Sequence, residues 1–180
     1  MRQVPALVPI SLNEGGYVED GRLMKSERRL IVQLIPETAW YNNLRNAVKK
    51  SEWDKIRKKC YREANYTCEV CGGKGSKHPV ECHELYTFEE GVIRLVGLIA
   101  LCPDCHTSVH PGLANIRGKY AQAVNQLAKV NKITKGMAEA YYRDCFAEWR
   151  ELSKVPEWKT DFSWIEGYLI THLNHYPLTL

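Results

Sequence analysis

Apolar residues recur along this chain with two different periods, and the change of period marks its parts. Leu30-Ile31-Val32-Gln33-Leu34-Ile35 is a short apolar run in a Pro-punctuated first stretch, residues 1–36, which reads as extended segments with a strand or two. Pro36 opens an expected helix to about Lys49, with Trp40, Leu44 and Val48 on one face. Ser51, followed by Asp54, reads as the cap of a second helix reaching about Asn65. Trp53, Ile56, Cys60 and Ala64 make its core stripe and leave Arg57, Lys58, Lys59 and Arg62 to the other faces.

The period then shortens. Gly75 to Pro79 reads as a loop, Val80 to Phe88 as a strand and Val92 to Leu101 as its hairpin partner, with Glu89-Glu90-Gly91 between them. Pro103-Asp104 starts a short helix carrying His106 and His110 and ending at Pro111-Gly112. Helical spacing returns from Leu113 to Val130, with Ile116, Tyr120, Val124 and Leu127 as one stripe. Thr134 caps a last helix to about Lys154, with Tyr141, Cys145, Trp149 and Leu152 inward and Gly136 weakening its first turn. Trp158, Phe162 and Trp164 are expected to pack back on the body.

A chain of 180 residues with 44% hydrophobic and 26% charged content has material for one domain with a core. No apolar run approaches the roughly 20 residues of a membrane span, and the N-terminus lacks the apolar centre of a signal peptide, so the expectation is a cytoplasmic protein. In that reducing setting the odd count of seven cysteines argues against a disulfide framework. Cys60 and Cys145 fall in helical patterns and read as small buried hydrophobes. The net charge of +4 is a weak signal alone, but residues 45–62 hold eight of the basic side chains against Glu52 and Asp54.

Cysteine spacing carries the most chemistry. Cys68-Glu69-Val70-Cys71 and Cys102-Pro103-Asp104-Cys105 are two C-x-x-C pairs, the ligand set of a closed tetrahedral structural Zn2+ site. The 30 residues between them fit a hairpin, and a knuckle, a hairpin and a helix bearing the second pair make a treble-clef arrangement.

The hairpin holds Val80-Glu81-Cys82-His83-Glu84-Leu85-Tyr86, and the second knuckle runs into His106 and then His110. A strand histidine followed across a hairpin by L-C-x-x-C-H resembles the HNH endonuclease superfamily in its zinc-stabilised form, over roughly Cys68 to Gly112. The resemblance implies an α+β fold: a treble-clef ββα-metal core within a mainly helical domain. Residues 1–50 would form an N-terminal segment, 51–112 the nuclease core with its basic lead-in helix, and 113–180 a helical extension.

It also implies DNA phosphodiester hydrolysis with a histidine general base and one divalent ion, Mg2+, Mn2+, Ni2+ or Zn2+. His106 stands where the family places a metal ligand, and His110 follows four residues on. Two departures stand out: Gly97 occupies the usual position of an Asn, and Cys82-His83-Glu84 replaces the usual Asp-His or His-His.

Two registers remain open. In one, His83 is the base and Glu81, on the same strand face, supplies an oxygen ligand. In the other, His83 joins His106 and His110 as a ligand and Glu84 is the base, which favours a transition metal or zinc over Mg2+. Lys55, Lys58, Lys59 and Arg62 would contact DNA phosphates. One site per chain favours a dimer or sequential nicking for double-strand cutting. The competing expectation is a treble-clef module that binds nucleic acid or protein without cleavage. His78, His172 and His175 read as surface or loop histidines.

Overall fold

A computed structural model describes residues 30–170 and, ahead of them, a two-residue strand pair, β1 (Tyr17–Val18) with β2 (Arg22–Leu23). Most of the extended reading for residues 1–36, together with His172 and His175, lies outside the described residues. The fold is α+β: helices surround a small sheet, and a contiguous apolar core runs from Leu30 to Ile165.

Among the described residues, Leu30 to Ile35 has no partner strand; side chains of the C-terminal helices bond part of its backbone. Asn131 accepts from the Leu30 N–H and donates to its carbonyl, at 2.8 and 2.9 Å. Tyr141 Oη accepts from the Val32 N–H and Trp149 Nε1 donates to the Ile35 carbonyl. Such pairing satisfies backbone groups of an apolar segment that no strand covers among the described residues.

The expected helix from Pro36 to Lys49 breaks into a 3-10 turn, Glu37–Ala39, and the single-turn α1 (Leu44–Ala47). Two asparagines divide it. Asn42 donates to the Trp158 carbonyl, and the Asn43 side chain caps α1 by accepting from the Asn46 N–H. Trp40 is therefore exposed, while Leu44 is fully buried.

Helix α2 (Lys50–Glu63) starts two residues earlier than Ser51 implies, because Glu52 reaches back to the Lys49 N–H at 2.9 Å and Asp54 pairs with Arg57 instead. Its core stripe is as read: Trp53, Ile56, Cys60 and Ala64 are all buried. Lys59 departs from the reading. At 3% exposure it lies on the shoulder of that stripe, beneath α7 (Trp164–Ile170), with its ammonium over the Tyr168 ring and bonded to the Tyr168 carbonyl.

Strands β3 (Glu81–Glu89) and β4 (Val92–Leu101) form the antiparallel hairpin, joined at Glu90-Gly91. A bulge interrupts the register, since Leu85 pairs with Gly97 but Tyr86 with Leu95, so Val96 is the extra residue. A third strand, β5 (Lys159–Asp161), adds parallel to β4 and is bound by Arg94 to Asp161 at 2.8 Å. The hairpin leads into α3 (Pro103–Ser108), α4 (Pro111–Ile116), α5 (Tyr120–Asn131) and α6 (Lys135–Leu152).

The helix expected from Leu113 to Val130 is two helices, because Gly118 takes a left-handed φ of 66° between them. Ile116, expected inward, is 83% exposed as a result. Thr134 caps α6 as read, accepting from the Met137 N–H. Among the described residues, no helix is long and apolar enough to cross a membrane.

Candidate metal centre

Two groups of ligand-type side chains converge at the hairpin–α3 junction. The first is Cys68, Cys71, Cys102 and Cys105, whose sulfurs all lie within 4.8 Å of one another. Cys71 Sγ and Cys102 Sγ are 3.6 Å apart. Zn–S bonds of about 2.3 Å place tetrahedral sulfurs about 3.8 Å apart, so the four thiols fit one zinc ion.

Local structure builds the group in two halves. The first knuckle turns back on itself through Gly72 N–H to the Cys68 carbonyl and Cys68 N–H to the Gly73 carbonyl, both 2.9 Å. Gly73 N–H then points at Cys71 Sγ. Glu69 ties this knuckle to β4: its N–H donates to the Ala100 carbonyl and its carboxylate accepts from the Ala100 N–H. The second half sits at the start of α3, with Cys102 as N-cap and Pro103 in the first turn, where a missing N–H costs nothing. Gln126 of α5 donates to Cys105 Sγ at 3.2 Å.

The second group is His83, His106 and His110, with ring nitrogens again within 4.8 Å of one another. The rings meet edge to face, with centroids 4.8–5.5 Å apart. His106 Nε2 and His110 Nε2 are 3.3 Å apart, the edge expected for two ligands about 2.0–2.1 Å from one tetrahedral ion.

These two histidines do not share α3 as the i,i+4 reading held. Helix α3 ends at Ser108, and His110 is the N-cap of α4, out of the helical conformation (φ −121°, ψ 60°) ahead of Pro111. A tight last turn, His110 N–H to the Thr107 carbonyl at 3.2 Å, keeps its ring beside His106 all the same.

Glu81 lies beside the imidazole group. One of its carboxylate oxygens accepts from His106 Nδ1, and the other is 2.7 Å from His78 Nε2. A carboxylate on Nδ1 fixes the His106 tautomer and leaves Nε2 free toward an ion, an arrangement that suits Glu81 to orient His106, and the three imidazoles meet without it. His78, read as a loop histidine, is 52% exposed and completes the chain. Its spacing of three residues from Glu81 was the available signal.

The loop that carries His78 is packed too closely onto the second knuckle to admit a side chain at Gly75. A Cβ there would meet the His78 carbonyl at 2.3 Å and the Pro103 ring at 2.7 Å.

Burial acts on the imidazoles in one direction. It drives His83 well below the ordinary histidine range, with His110 and His106 adding to the effect. It takes His110 down to about 4, helped by His106. It lowers His106 as well, against the raising effect of Glu81. Burial pushes Glu81 up, but the His106 and His78 imidazoles bring it below the ordinary carboxylate value. All three shifts favour the neutral ring, the form in which imidazole binds metal or accepts a proton.

Alternation along β3 sends Cys82 and Glu84 to the face opposite His83. Burial raises the Glu84 carboxyl, offset in part by Arg45, and its charge is felt by Cys82 and Tyr86. The Cys82 thiol is raised by a hydrogen bond with the Cys60 thiol and by burial, which makes it inert. Glu84 therefore does not join the imidazole group.

Arg45, which the sequence placed only in a basic run, is the cation whose charge is felt on both faces of β3. It is exposed, it lies over the Trp53 ring at 4.7 Å, and its charge lowers the pKa of all three imidazoles. The remaining basic candidates, Lys55, Lys58, Lys59 and Arg62, line one cleft with Leu169 of α7.

The fold and its side chains define an α+β protein with two candidate metal-ligating groups, one of four thiols and one of three imidazoles. No family model matches the chain, and no curated protein and no solved structure matches it.

Proposed function

We propose that this protein is a metal-dependent endonuclease of the HNH type, built on a zinc-stabilised treble-clef core. The observation that carries the reading is the meeting of His83, from the first strand of a ββα unit, with His106 and His110 beyond its second strand. Imidazoles from two elements, brought together and shifted toward the neutral form by burial, suit hydrolysis of a phosphodiester.

His106 and His110 would hold one divalent ion, and Glu81 orients His106 for it. The ion, when bound, supplies charge to polarise the phosphate and stabilise the departing oxygen. His83 accepts a proton from the attacking water, a role open to a neutral imidazole. Arg45 faces the approaching anionic substrate. The four thiols would hold a structural zinc that fixes the hairpin against α3.

The compact three-ring group also favours a second reading of His83, as a third ligand of a transition metal or zinc. Glu84, on the other strand face, is not placed to act as the base in that register. A further alternative is a non-catalytic zinc module; Gly97 favours it, since it has no side chain to brace the loop as the family's Asn does.

Plasmid cleavage with Mg2+, Mn2+, Ni2+ or Zn2+, wild type against His83→Ala, separates these readings when metal content is measured alongside. Cleavage lost with the ion retained makes His83 the base; both lost make it a ligand. Cleavage that survives His83→Ala overturns the site. No cleavage with any ion, with salt-sensitive DNA binding, makes the protein a module.

A further inference from the structure

The segment that carries Arg45 also carries two aromatic rings with no place in the core. Trp40 is 63% exposed and Tyr41 is 81% exposed. Single exposed apolar residues are ordinary, but these two are adjacent and their backbone is held from several sides. The Asn42 side chain donates to the Trp158 carbonyl, Asn43 donates to the Trp40 carbonyl at 3.0 Å, and Asn46 donates to the Tyr41 carbonyl at 3.4 Å. Leu44 anchors the segment in the core, and its N–H donates to Tyr86 Oη at 2.9 Å. Tyr86 belongs to β3, the strand that carries His83, so the segment is fastened to the strand of the imidazole group.

Charge selects the occupant. Residues 38 to 51 include Arg45, Lys49 and Lys50 and no acidic residue. Arg45 has no carboxylate partner among the described residues; its contact is the Trp53 ring. Exposed aromatic rings interleaved with unpaired cations on a pinned backbone match the needs of a single nucleic-acid strand, which presents base faces to stack and phosphates to neutralise. A duplex offers the phosphates but keeps its base faces stacked.

We propose that Trp40, Tyr41 and Arg45 form a platform for unpaired nucleotides on the segment fastened to β3, so that the preferred substrate is single-stranded or locally unpaired. This rests on the nucleic-acid part of the proposed function and narrows its substrate class.

Fluorescence anisotropy with short labelled oligothymidine, oligouridine and a duplex of equal length tests it. Wild type is expected to bind the single strands more tightly than the duplex. Trp40→Ala/Tyr41→Ala should weaken single-strand binding by roughly fivefold to a hundredfold for each ring removed and leave duplex binding within about twofold. Trp40→Phe/Tyr41→Phe should restore most of the loss. The oligothymidine and oligouridine arms report whether DNA or RNA is the better ligand. Equal zinc content and circular dichroism show that the variants are folded.

Single-strand binding unchanged in the alanine variant, or single-strand and duplex binding lost alike, overturns the platform. So does a change in sedimentation without nucleic acid, which would make the rings a contact between copies of this chain. A protein that binds single strands through these rings but cuts nothing defeats the nuclease and leaves the platform. One that cuts duplex plasmid with no single-strand preference does the reverse.

Discussion

The two ligand groups share α3 and differ in everything else. Cys105 and His106 are neighbours on that helix, yet one side chain turns to a set of four thiols and the other to a set of three imidazoles. Four ligands complete a tetrahedron, whereas three leave a position for water or substrate. The thiols are tied to the scaffold by backbone: the knuckle turns, the Glu69–Ala100 pair and the N-cap of α3. The imidazoles are oriented by side chains, Glu81 and through it His78. Loss of the first group should therefore be felt as loss of fold, and loss of the second as loss of chemistry.

The largest effect should follow from breaking the thiol group. A structural zinc site contributes about 10–16 kcal/mol of apparent binding free energy, comparable with the whole stability of a typical domain, about 5–15 kcal/mol. Cys105→Ser is expected to lose zinc and its cooperative thermal transition together, read by metal analysis and calorimetry. A folded, zinc-free Cys105→Ser protein would erase the distinction between the groups.

Next comes His83→Ala, expected to reduce cleavage by roughly 10²–10⁴-fold while the thermal transition and one zinc per chain persist. Glu81→Gln should be milder. Loss of the orienting carboxylate weakens affinity for the second ion by about 10–100-fold, measured by titration calorimetry, without displacing the first. If both ions weaken together, the groups are not independent.

The smallest effect tests the support under α3. Tyr142, buried in α6, donates to the Ser108 carbonyl at 2.8 Å. Tyr142→Phe leaves that carbonyl unpaired and should cost about 1–3 kcal/mol in denaturant unfolding, with both ions still bound.

What was legible in the sequence follows the same division. C-x-x-C spacing, a two-period hairpin and the core stripe of α2 are local patterns, and the structure has them where the spacing puts them. The imidazole group was legible in its members but not in its geometry. Helical spacing gave His106 and His110 a common helix, but Pro111 ends that helix and a tight turn does the work. Glu81 was read as a ligand because strand parity gives a face and not a partner; its partners come from a tertiary packing around Gly75 that no period encodes. Lys59 and Arg45 show the same limit in reverse. Both lie in one basic run, yet α7 buries the first and the second is exposed over the Trp53 ring.

The central claim is that one group holds a structural ion and the other a separate, dispensable one. Native mass spectrometry of wild type and His106→Ala, each reconstituted with excess divalent metal, measures it directly. The account predicts two ions in wild type and one in His106→Ala, with the variant's compact charge-state distribution unchanged. A single ion in wild type, or two retained in the folded variant, would contradict it.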